Sequence, residues 1–252
     1  MPSPTDFNLS PYFDDFTESK KFHRVLFRPA FAVQARELTQ SQTILQNQVE
    51  KVSDHLFEKG AMIIPGEIGY DLNYYAVKLT SIASGVSLSS FSDIVLTGGT
   101  SGVRALVVGT DATDGTDPDT LYVKYLDSGT NKTSTAFTHG ETLTGTATLS
   151  GVETTISCVV ATCHTGSAAE IQAGTYYING YHVQVTNQTI VLDKYTNTPS
   201  YRVGLTVTES FVTPSDDSSL NDNAAGSSNT NAPGAHRFKI DLTLAKKTLT
   251  ST

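Results

Sequence analysis

The sequence has no tryptophan and only two cysteines and two methionines in 252 residues, and Asp, Glu, Lys and Arg together supply only 17 % of it. So low a charge density is not the profile of a disordered, charge-rich chain. Formal net charge is −8, which argues against a general nucleic-acid binder. No apolar run approaches the roughly 18 residues of a membrane span. The N-terminal stretch MPSPTDFNLSPYFDDF lacks the basic and apolar regions of a secretion signal, so synthesis in a cytosol is expected.

Motifs for chemistry are equally scarce. There is no GxSxG, no phosphate-binding loop, no GxGxxG and no HExxH. The six histidines, His23, His55, His139, His164, His182 and His236, stand singly. Cys158 and Cys163 lie in TTISCVVATCHTG. On one strand their Cα atoms would be roughly 16 Å apart, too far for a disulfide, and their spacing with His164 matches no common zinc pattern. Two reduced thiols are expected. The loop DATDGTDPDT gathers Asp111, Asp114, Asp117 and Asp119, but without the alternate spacing and terminal Glu of a calcium loop. Asp, Gly and Pro build turns for their own reasons. Paired carboxylates could serve glycoside hydrolysis, yet no tryptophan is there to stack on a sugar. The expectation is no enzyme, no cofactor, no metal, and no catalytic or cofactor-binding residue.

What is present is Thr, Ser, Gly and β-branched runs, with one contrasting stretch near the start. Residues 1–33 are punctuated by proline and carry Phe7, Tyr12, Phe13, Phe16, Phe22, Phe27 and Phe31. They predict an extended arm that either wraps its own domain or docks on a neighbour. Residues 34–60 predict a helix closed by Gly60 as C′ residue. Leu38, Gln42, Leu45, Val49, Val52 and Leu56 recur at 4-3-4-3-4 spacing and form one narrow stripe. A helix lying flat on its own sheet shows a broader apolar face. A narrow seam with one polar member is what self-associating helices show.

The rest reads as strands. AMIIPGEIGYDLNYYAVKLT, residues 61–80, reads as strand, Pro-Gly turn, strand, and Asn179-Gly180 in IQAGTYYINGYHVQV marks a hairpin. Two similar half-units, DIVLTGGTSGVRALVVG and ETLTGTATLSGVETTISCVVA, each run strand, Leu-Thr-Gly, loop, Ser-Gly-Val, strand. The expected fold is mainly β with one long N-terminal α-helix. A host β domain, 61–80 plus 167–252, carries residues 81–166 as an inserted Gly/Thr-rich β-barrel or sandwich.

The run NLSPYFDDFTESKKFHRVLFRPAFAVQARELTQSQTILQNQ, residues 8–48, resembles an uncharacterised family of tailed-bacteriophage virion proteins, most specifically at LFRPAFAVQARELTQ. SLNDNAAGSSNTNAPGAHRFKI, residues 219–240, resembles another segment of that family. Family members occur among baseplate and tail-fibre-associated proteins and can be longer, so the resemblance leaves open whether this chain is the N-terminal part of a larger one. It implies a non-enzymatic structural part of the tail in the virion, made in the host cytoplasm, a baseplate or tail-fibre anchor assembling through arm and helix. The implied partners are copies of itself, as a homotrimer, and other phage tail proteins, with no nucleic acid and no membrane span. A receptor- or glycan-binding tail module stays open as the alternative, with a host surface receptor as its partner.

Overall fold

The computed structural model describes residues 4–130 and 132–250, so the first three residues of the expected arm lie outside the described residues. The described residues are mainly β with a single α-helix, as the sequence implies. The chain divides into two compact units.

The first unit is built from Met1–Glu67, Ile171–Gln188 and Leu205–Leu244. Its helix α1 spans Ala35–Leu56. Gln34 opens it with a reciprocal capping box, in which its own backbone N–H donates to Glu37 Oε2 at 2.9 Å. The helix stops short of Gly60. Phe57 leaves in extended conformation so that its ring can pack on Tyr177 and His182. Gly60, at φ +89°, donates its N–H to the Tyr177 carbonyl at 2.8 Å instead of capping the helix.

Strand β1 (Met62–Ile64) does not form a hairpin with the strand that follows it. It pairs antiparallel with β8 (Gly174–Ile178), which pairs in turn with β9 (Tyr181–Val185). The turn at Pro65-Gly66 redirects the chain because Gly66 lies against the backbone of Gln172, where a Cβ would meet the Gln172 carbonyl at 2.3 Å. The expected Asn179-Gly180 turn is present, with both residues at positive φ and Ile178 opposite Tyr181. A two-stranded ribbon, β11 (Tyr201–Val212) with β12 (Arg237–Thr248), lies mostly in this unit.

The second unit comprises Ile68–Glu170, Thr189–Gly204 and Ala245–Thr252. Its strands are β2 (Ile68–Ile82), β3 (Val95–Gly98), β4 (Arg104–Asp111), β5 (Thr120–Asp127), β6 (Thr142–Leu149), β7 (Val152–Ile171) and β10 (Gln188–Asp193). The sheet order is β10-β7-β2-β5-β4-β3-β6, and β6 pairs again with β7 from Thr142↔Val159 to Leu149↔Val152. Six strands therefore close into a ring, which removes their free edges. Fifteen buried residues, among them Phe91, Leu96, Val107, Leu121, Leu143 and Ile156, form one core cluster of this unit.

The barrel takes in β2 and the length of β7, so this unit begins at Ile68 rather than at 81 and is not one continuous insertion. The two half-units are the hairpins β3–β4 and β6–β7, and their Leu-Thr-Gly strands pair with each other through Thr97↔Thr144. Cys158 and Cys163 are free thiols on β7, and burial pushes the Cys158 thiol up to about 12.

Candidate functional site

Helix α1 meets its own unit through the buried Ile44 and a set of polar groups. Gln46 Nε2 donates to the Gly180 carbonyl at 2.7 Å, and Gln40 Nε2 to Asp15 Oδ1 at 3.0 Å. Thr43 donates to the buried Asp14. Tyr177 donates to Asp54 Oδ1 at 2.7 Å. That bond holds the Asp54 carboxyl below its usual range, whereas burial, with the Asp54 charge beside it, pushes Glu50 up. Partial burial works against it, but Lys20, the Gln40 hydrogen bond and Arg36 hold Asp15 below the ordinary value. Ile44 and Ser53 are the buried residues of the helix.

The stripe faces the other way. Leu38 is 52 % exposed, Leu45 67 %, Val49 47 %, Val52 62 % and Leu56 65 %, and Gln42 is exposed with them. At about 100° per residue these six positions lie on the helix opposite Thr43, Asn47, Glu50 and Asp54. The amphipathic helix is thus inverted, with its polar side seated and its apolar side in water. The residues flanking the stripe, Thr39, Ser41, Gln46, Gln48, Ser53 and His55, include no Asp, Glu, Lys or Arg. Two copies laid along the stripe would meet no like-charge repulsion there.

The arm divides in two. Phe7 packs edge-on against Phe211 and Phe238, with ring centroids at 5.9 and 5.0 Å. Tyr12 packs on Phe211 and bonds His236 Nδ1 at 2.8 Å, and Phe16 is half-buried. These three belong to the first unit's own packing, whereas Phe13 stands out at 56 % exposure. From Lys21 to Gln34 the chain is irregular and nearly all exposed. There Phe22, Leu26, Phe27, Phe31 and Val33 are all at least half exposed.

Sequence reasoning missed the anchors of this arrangement. Asp14, Tyr177 and Gln46 find their partners far along the chain, and no local pattern marks them. It also missed a polar cluster in the second unit. Lys78 pairs with Asp117 at 2.9 Å and Lys194 with Asp111 at 2.6 Å, while Tyr195 donates to Asp117. Asp114 accepts the N–H groups of Thr116 and Asp117 at 2.9 and 2.8 Å. The aspartate loop is therefore spent on turn formation and lysine pairing. Among the described residues no three His, Cys, Asp or Glu side chains converge as metal ligands would. Among them, too, no helix is long and apolar enough to cross a membrane.

A family model, described as "Domain of unknown function (DUF4815)", matches residues 10–82 and 126–252. The chain belongs to that family. The matched span holds the whole helix, its outward stripe and the exposed segment before it. The interruption, 83–125, removes β3, β4 and most of β5, so the family model is broken within the barrel. No curated protein and no solved structure matches the chain.

Proposed function

We propose that this DUF4815 protein is a non-enzymatic structural part of a tailed-phage virion, a baseplate or tail-fibre anchor whose copies join along the outward stripe of α1. The observation that carries the reading is the inversion of the helix. Five large aliphatic side chains stay in water while the polar side is tied down. Full burial of such a side chain from water is worth roughly 1.5–3 kcal/mol; these start about half exposed, so each gains about half of that, and a matching stripe on a second copy repays part of the cost of association. Three copies around one seam is the arrangement proposed. Gln42 at an inward position would weaken the seam but fix its register.

The phage setting rests on the resemblance of residues 8–48 and 219–240 to virion proteins. Mass spectrometry of purified particles of the phage encoding this chain tests it. The chain should be present at fixed stoichiometry, and particles carrying Val49→Asp with Val52→Asp should lack it. Its absence from particles that are otherwise complete would overturn the reading.

A further inference from the structure

We propose that the cavity between the arm and the first half of α1 binds a uronic acid, as a unit of an acidic glycan, and holds it without cleaving it. The site lies within the first unit, and Arg36, Glu37, Gln40 and Ile44 line it from the side of α1 away from the stripe. Copies joined along the stripe would leave it open, so this site is independent of the seam.

The cavity has a volume of about 380 Å³, within the range of small-molecule sites. Its apolar lining is Phe16, Phe22, Val25 and the buried Ile44. Phe22 keeps 59 % of its surface exposed at this cavity. The negative face of such a ring attracts the C–H groups of a sugar.

Lys20, Arg24 and Arg36 line the cavity against Asp15 and Glu37, which leaves one positive charge in excess. The excess sits at Arg24. Lys20 and Arg36 face Asp15 at 3.6 and 3.8 Å, whereas among the described residues no ion pair, hydrogen bond or ring contact engages Arg24. A guanidinium takes a carboxylate through two parallel hydrogen bonds. One excess charge suits a monocarboxylate better than a phosphate monoester, which carries about −1.5 to −2. Acceptors for hydroxyl groups stand beside it. Gln40 commits its Nε2 to Asp15 and Glu37 its Oε2 to the Gln34 N–H, and each keeps a further oxygen. Cleavage of a glycoside needs a carboxylic acid kept protonated until it gives up its proton. Asp15 is held below its ordinary value and Glu37 is spent on the helix cap, so the cavity supplies no such acid.

Ligand-observed NMR on the full chain, with D-glucuronate, D-glucose and inorganic phosphate as probes, tests this. Glucuronate should bind with a Kd of about a millimolar, the scale set by its few atoms. Glucose should bind about tenfold or more weakly, and Arg24→Ala should weaken glucuronate by a similar factor. Arg24 is exposed, so that variant should keep the parent's melting temperature. Phe22→Ala should weaken binding too, whereas Arg28→Ala, outside the cavity, should not. A glucuronic-acid oligosaccharide should be recovered uncut. No saturable binding of glucuronate, equal binding of glucose, displacement by phosphate at the same concentration, or an affinity untouched by Arg24→Ala overturns the site, whatever the mass of the oligomer. An oligosaccharide that is cut overturns binding without cleavage.

Discussion

Tyr177, on β8, donates its hydroxyl to Asp54 Oδ1 on α1 across 123 residues of sequence, at 2.7 Å. The same hydroxyl lies 3.3 Å from the Glu50 carbonyl. One buried phenol thus holds the last two turns of the helix by its polar side and leaves Val49, Val52 and Leu56 facing outward.

That bond makes a pH-dependent contribution. The folded-state pKa of Asp54 is lowered, with the Tyr177 hydrogen bond the largest cause. The stabilisation is present above the ordinary carboxylate pKa and is lost as pH falls through the lowered folded value. Tyr177→Phe should lower the melting temperature by roughly 2–4 °C at neutral pH. It should also flatten the acid side of the stability profile. Thermal melts from neutral pH down into the acid range read both effects, and an unchanged acid limb would count against the Tyr177 bond.

Gly180 tests the seat of the helix from the turn. It sits at φ +89°, and a Cβ there would stand 3.0 Å from the Glu50 side chain. Gly180→Ala should cost about 1–2 kcal/mol through backbone strain alone, read by urea unfolding, with the Glu50 contact adding to it.

Glu141 tests the barrel independently. It is buried, and its carboxylate accepts the Ser101 N–H at 3.0 Å, the Thr100 N–H at 3.2 Å and the Ser101 hydroxyl at 3.1 Å. Glu141→Gln turns one acceptor into a donor facing donors. A loss of about 1.5–3 kcal/mol in the second unit is expected, with the oligomer mass unchanged. A change of mass would tie the barrel to assembly.

The division of the arm gives opposite expectations for its two parts. Phe7→Ala should destabilise the folded chain by about 2 kcal/mol, less than a fully buried ring would. In the Val49→Asp/Val52→Asp monomer, Phe27→Ser and Phe31→Ser should leave thermal stability unchanged, since both rings are at least half exposed in the single chain. Equal melting effects at Phe7 and Phe27 would show the arm to be one continuous piece of packing.

These cases also show what the sequence makes legible. The stripe is visible because one helix face repeats every three or four residues. Its direction is not, because Gln46 and Tyr177 set it through partners more than a hundred residues away. Gly60 looked like the helix stop, but the aromatic partners of Phe57 end the helix sooner. The Asn179-Gly180 hairpin was legible because the turn itself carries the signal. Pro65-Gly66 was misleading for the converse reason, since its geometry answers to Gln172 rather than to its neighbours. The paired half-units pointed to related hairpins, whereas the closure of β6 on β7 depends on register, which composition does not encode.

The most direct measurement is the solution mass of the parent and of the Val49→Asp/Val52→Asp variant by light scattering, with circular dichroism on the same samples. Both substituted positions are exposed, at 47 % and 62 %, so the change should not unfold the single chain. A parent at three times the monomer mass that falls to the monomer in the variant, with the β signal kept, is the expected result. A parent that is monomeric at every concentration, or a variant that loses its β signal, would contradict the outward seam.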